Sequence, residues 1–213
     1  MRKLGVAAFA IALTFGSAHA AAAPCELHVW PTTNLGGATM GSGTQGLLPA
    51  LMAGDTTKQV QVLGAVLDPD GQVDQFRELD LVKTFALPSD TQVVFHSPTT
   101  VGRWPDKRNA ASQASCYFEF WVDQILFNRH PLYGKDILSL FTFRRYGAGD
   151  SVAFRMGGRY RTKMETFPKK VEADPASIAA AAALVNEAFA TDVTLFGDKV
   201  RPRVAKSAGA DPS

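Results

Sequence analysis

Arg155, Arg159, Arg161 and Lys163 are two or four residues apart. In an extended strand alternate residues share a face, so this spacing gathers four cations on one side. Such a stripe suits charge-assisted hydrogen bonds to phosphates or carboxylates, the guanidinium fork favouring planar, bidentate partners. Arg144 and Arg145 end the apolar segment before it, and Lys169 and Lys170 follow. The residues assigned to an anionic partner are Arg155, Arg159, Arg161, Lys163 and Arg145, with Phe154, Met156 and Tyr160 turned to the other side. The competing reading is a solvated strand face whose charges discourage edge pairing. Gly157-Gly158 within the stripe marks a bulge or the close approach of another backbone.

No other constellation amounts to a catalytic or metal motif. The glycine-rich run Gly36 to Gly43 follows a strand, where phosphate-binding loops sit, but the first lysine after it is Lys58 and the Gly-Lys-Ser/Thr ending is missing. Met40 occupies the place of the first glycine of a nucleophile elbow around Ser42. Asp68-x-Asp70-Gly71 with Asp74 imitates the start of a calcium loop, yet Leu79 stands where the bidentate glutamate belongs. His28, His96 and His130 lack zinc-ligand spacing and read as three unrelated residues. No catalytic residue, metal or cofactor is assigned.

The elements that must position the stripe follow from periodicity. Cys25 to Trp30 alternates Leu27 and Val29 with Glu26 and His28, a half-buried strand ended by Pro31. Thr32 to Gly46 reads as a mobile loop, Gly46 to Ala53 as a helical turn or two, and Lys58 to Leu67 as a strand that loses register. Asp68 to Gly71 is a turn, and Val73, Phe76, Leu79 and Val82 predict a helix over 72–85. Thr91 to His96 reads as a buried strand and Ser97 to Ser115 as a loop. Cys116 to Phe127 is apolar and aromatic on both parities, which predicts a mid-sheet strand. A turn at 128–134, a return strand at 137–146, a second turn at 147–150 and a third strand at 151–163 complete a meander. Asp174 caps a helix with Pro175 in its first turn, Ile178, Ala182, Val185 and Phe189 form its apolar stripe, and Gly197 is the expected stop.

Composition bounds the class. Arg2 and Lys3, the uncharged run Leu4 to Gly16, and Ala18-His19-Ala20 have the order of a secretory signal peptide cleaved near Ala20. That run is too short to cross a hydrocarbon core of roughly 30 Å, and no later stretch reads as a membrane span. Without Arg2 and Lys3 the chain balances 20 basic against 20 acidic residues. The balance is uneven: 3 basic and 8 acidic residues over 21–100, then 17 and 12 over 101–213. A neutral chain with opposed halves is not a nucleic-acid binder by charge. Export and an even cysteine count favour a Cys25–Cys116 disulfide, with two free thiols as the alternative; Pro24 before Cys25 speaks against lipidation.

Ala114-Ser115-Cys116-Tyr117-Phe118 places an aromatic strand after a small-residue turn, and Asp150 to Tyr160 forms the last strand of the meander. In this order the chain resembles the small α/β domains of bacterial envelope-assembly factors: the N-terminal domain of the Tol–Pal translocation protein, the lipoprotein activators of penicillin-binding proteins and the curli-secretion lipoprotein. The resemblance implies a non-catalytic periplasmic adaptor. The expected organisation is a signal peptide over 1–20, one exported α+β domain over 21–200 and a disordered tail over 201–213. The expected domain is a mainly antiparallel sheet of four or five strands, packed by a C-terminal helix and one or two further helices. The expected partner is an envelope protein or an anionic envelope component. A cell-envelope hydrolase assembled from distant residues and a structural subunit are the alternatives.

Overall fold

The computed structural model describes residues 24–39, 64–99, 107–114, 116–130, 134–147, 150–168, 171 and 174–208. The leader at 1–20, the helical turns expected at 46–53, and Lys169 and Lys170 lie outside these residues. Six strands form one sheet: β1 (Glu26–Trp30), β2 (Leu35–Thr39), β3 (Gln92–Phe95), β4 (Tyr117–His130), β5 (Gly134–Tyr146) and β6 (Val152–Lys163). Three named helices accompany them: α1 (Pro69–Glu78), α2 (Leu81–Phe85) and α3 (Pro175–Ala208). The strand order is β3-β1-β4-β5-β6, with β2 also paired to β4.

The α+β class and the C-terminal helix agree with the sequence reading; the sheet does not. β1 runs parallel to both β3 and β4, β2 runs parallel to β4, and only β4-β5-β6 is antiparallel. The difference has a topological cause. Only three and five residues separate β4 from β5 and β5 from β6, whereas helices intervene between β1 and β3, and a crossover of that kind returns the chain in the same direction. β2 occupies part of the expected 32–46 loop. Its sequence Leu-Gly-Gly-Ala-Thr has no strand periodicity, and its pairing to Ile125–Arg129 is what makes it a strand.

β4 changes neighbours at a register shift between Val122 and Gln124. Before it, Tyr117 to Trp121 pair with β1; beyond it, Ile125 to Arg129 pair with β2. The Asp123 carbonyl, at the shift, accepts from Thr32 and from the Asn34 side chain, which fixes the passage from β1 to β2.

One sheet face carries the apolar core. Phe118 and Phe120 of β4 and Phe141 and Phe143 of β5 meet Phe76, Phe85, Phe189 and Phe196 of the helices. The Phe85 and Phe120 centroids are 4.9 Å apart in an edge-on arrangement, a favoured aromatic geometry. The expected helix over 72–85 is two helices. Asp80 adopts a left-handed conformation (φ 47°), and its carboxylate accepts from the Lys83 amide to start α2. Residues 64–66 are helical, where the tail of a strand was expected.

α3 begins as read: the Asp174 carboxylate accepts from the Ser177 amide, with Pro175 in the first turn. Its buried stripe is Ala181, Val185, Ala188, Phe189, Val193, Phe196, Val200 and Val204, while Ile178 is exposed. Gly197 is not a stop. It faces α2, and a Cβ there would lie 2.7 Å from both Cγ2 and the carbonyl oxygen of Thr84. The helix continues to Ala208, so the tail assigned to disorder from residue 201 is helical over 201–208. Arg201 donates to the Thr84 carbonyl at 2.9 Å and Val204 is buried, which ties down this last stretch. The span Pro175–Lys206 is also long and apolar enough to cross a bilayer, contrary to the sequence expectation; here one side of it supplies the core.

Candidate functional site

β6 is the edge strand next to β5, and its residues alternate between half-buried and exposed along its whole length. Phe154, Met156 and Tyr160 pack against the core. Arg155, Arg159, Arg161 and Lys163 are exposed on the opposite face. The stripe is therefore assembled as its spacing requires. Arg161 lies 3.5 Å from the buried carboxylate of Asp136, and Arg155 acts electrostatically on Asp123. Arg159 and Lys163 make no ion pair among the described residues.

Arg145 does not join the stripe. It is buried, pairs with Phe118 and Phe154, and has the parity of Phe143 and Phe141, which puts it on the helix-facing side of the sheet. Arg144 has the stripe's parity and is the register partner of Arg155, but it is buried beside Glu119. Gly157-Gly158 is not a bulge, since the pairing of β5 with β6 is continuous there. What approaches Gly158 are the rings of Tyr160 and Phe196: an added Cβ would collide with the first and lie 2.9 Å from the second. The close approach of another backbone expected there is not found either: the neighbours of Gly158 are side chains.

The stripe continues inward, on the same sheet face, into a polar and aromatic cluster that the sequence reading missed. At its centre is Glu119, fully buried on β4. Its carboxylate accepts from the Asn109 amide at 2.8 Å, from Tyr117 and Tyr146 at 3.2 Å each, and from Trp121 at 3.1 Å, with Arg144 3.5 Å away. These donors are what a buried carboxylate requires. The segment 107–114 is drawn onto the sheet by the same bonds, reinforced by the Ala110 amide to Tyr117 and by Tyr146 to the Lys107 carbonyl. Burial and the neighbouring Glu119 carboxylate push the Tyr117 hydroxyl far above its usual range, and burial raises Tyr146 to about 12. Both hydroxyls therefore remain donors.

Beside Glu119, two of the three histidines read as unrelated, His28 and His96, come together. His28 Nδ1 is 2.7 Å from His96 Nε2, and His28 Nε2 is 2.8 Å from Glu26, which also accepts from Ser112. The rings stack across the strands: His96 on Trp30 at 4.3 Å and Trp30 on Trp121 at 4.0 Å. The Ser112 hydrogen bond holds the Glu26 carboxyl below its usual range. Burial, and then the neighbouring His28, lower His96. Because the pair is 68 residues apart in sequence, motif spacing could not have signalled it.

Cys25 and Cys116 form a disulfide with a Cα–Cα distance of 4.7 Å, at the adjoining starts of β1 and β4. Asp68 caps α1 by accepting from the Gly71 amide, which accounts for the calcium-like spacing. Among the described residues no group of three or more His, Cys, Asp and Glu is placed to hold a metal. A cavity of about 260 Å³ lies away from the histidines, between the end of β6 and α3, where Lys163, Glu165 and Glu187 line it.

The site thus offers a cationic, solvent-facing edge on a rigid floor. Comparison with known proteins adds little to this geometry. No family model matches the chain, and no curated protein does. A DUF330 protein from Xanthomonas campestris has a TM-score of 0.43 at 9% identity, covering 88% of this chain and 89% of that one. A PelC dodecamer from Paraburkholderia phytofirmans has a TM-score of 0.26 at 8% identity, covering 79% and 87%. Likeness at this level assigns neither a family nor an activity to the chain.

Proposed function

We propose that this chain is an exported binding and assembly module of the bacterial cell envelope, working without chemistry of its own. Its contact surface is the outward face of β6, and its partner is anionic. The observation that carries this reading is the alternation of β6, which leaves Arg159 and Lys163 exposed with no ion pair among the described residues. Arg161 and Arg155 already have the Asp136 and Asp123 carboxylates near them, and an anionic partner supplies the counter-charge that Arg159 and Lys163 lack among the described residues. The leader-like start and the paired cysteines support an oxidising compartment outside the cytoplasm.

The test is capture of partners from cross-linked cells by the intact protein and by the double variant Arg159→Glu, Arg161→Glu. A defined envelope partner lost in a folded double variant supports the proposal, and undiminished capture removes this face from it. Sequencing the mature N-terminus checks export, with cleavage near Ala20 expected.

A second reading, a hydrolase, draws on the convergence of Glu26, His28 and His96. Against it, neither imidazole contacts a serine or cysteine nucleophile among the described hydrogen bonds, and Ser112 bonds to Glu26 instead. Turnover of envelope esters that disappears in His96→Ala would favour this alternative.

A further inference from the structure

We infer that the partner of β6 is an extended acidic segment of another protein, which adds to the sheet as a further strand. The inference rests on the proposed role of the basic face and specifies how that face is used.

The two ends of the sheet differ. β3 has four residues, whereas β6 has twelve. The inward side chains of β6 pack on the core yet stay half-buried, and no described strand pairs along its outer edge, while β5 beside it is buried through most of its length. An uncovered edge presents unpaired backbone donors and acceptors to any strand that can lie along it.

Edges are commonly blocked by proline, a bulge or shortness. β6 contains no proline, and its register shift falls at the hairpin end, between Arg145 and Tyr146. Its middle is open on the outward face, where Gly157 carries no side chain between Arg155 and Arg159. What remains as protection is charge, and the charge has one sign. Ala153, Arg155, Gly157, Arg159, Arg161 and Lys163 include no carboxylate. Two copies of β6 laid edge to edge would set cation against cation, which disfavours self-pairing. A strand with carboxylates at alternate positions meets the same residues as cross-strand partners, with backbone pairing added. The edge therefore rejects its own copy and selects an acidic strand.

Three twelve-residue probes test this against the intact protein: alternating Glu and Val, the same peptide N-methylated at alternate residues, and one of equal composition with its glutamates in a block. Phosphatidylglycerol vesicles form a fourth arm. The alternating peptide is expected to bind, to slow hydrogen exchange of β6 amides, and to lose its effect with the Arg159→Glu, Arg161→Glu variant. N-methylation is expected to weaken binding by about a hundredfold, because it removes backbone donors and leaves the charge. Equal binding of all three peptides, or binding of vesicles alone, overturns strand addition and leaves the basic face as an anion-binding surface. Failure of every anionic probe overturns both. Thermal unfolding of the double variant separates lost binding from lost folding, and the N-methylated peptide tests the inference without any variant.

Discussion

His28 Nδ1 and His96 Nε2 stand 2.7 Å apart, joining β1 to the end of the edge strand β3. The Glu26 carboxylate accepts from His28 Nε2–H, and with a neutral His28 ring Nδ1 accepts from His96 Nε2–H. Burial, and then the neighbouring His28, lower the pKa of His96. A histidine lowered by folding contributes stability that is present above the ordinary value near 6.5 and is lost as pH falls below it toward the lowered folded value. Thermal unfolding temperature is expected to fall on acidification across that value, and less so in His96→Gln. An unchanged slope in the variant would assign the effect elsewhere.

Asp192 should act in the opposite sense. It is fully buried on α3, accepting from Ser139 at 2.7 Å and Thr162 at 2.6 Å, and burial raises it from 3.8 to about 6. The folded protein then holds a proton that the unfolded chain has released, so stability declines as pH rises from about 4 through 6. Asp192→Asn keeps both hydroxyl partners without the ionisation. Above pH 7 it is expected to be more stable than the parent by up to about 3 kcal/mol. Urea unfolding at pH 5 and pH 8 reads the difference, which should shrink at the lower pH.

The disulfide joins two residues 91 positions apart in the sequence. Replacing Cys25 and Cys116 by serine is expected to cost about 4 kcal/mol, by release of unfolded-chain entropy. Urea unfolding of the double variant measures it, and the parent treated with reductant should behave alike.

Gly197 predicts a packing effect. Gly197→Ala drives a methyl group against Thr84 and should destabilise by about 1 to 3 kcal/mol, although alanine is the better helix former. A Thr84→Ser background removes the opposing methyl and should recover part of the loss.

These residues also show what the sequence reveals and what it withholds. The β4-β5-β6 meander is legible because aromatic and β-branched runs alternate with short turns, and α3 because Asp174-Pro175 is a local start signal. The parity of the basic stripe follows from the same local rule. β2 is hidden because Gly36-Gly37 has no strand propensity and its pairing comes from β4. Gly197 resembles a helix end until Thr84 is seen against it. Arg145 is misplaced because adjacent positions on a strand point to opposite faces, and only the register decides which of Arg144 and Arg145 joins Arg155. The clusters around Glu119 and His28 are built from segments far apart in the chain, beyond any motif.

The most direct test of the basic edge as the contact surface is photo-cross-linking in living cells. The reactive residue replaces Ala153 or Gly157 on the outward face of β6, with Ala183 on the exposed side of α3 as the comparison position. The expected result is a discrete adduct from the β6 positions, none from α3, and loss of the adduct in the Arg159→Glu, Arg161→Glu background. Adducts from α3 alone, or β6 adducts indifferent to the charge reversal, would contradict the assignment.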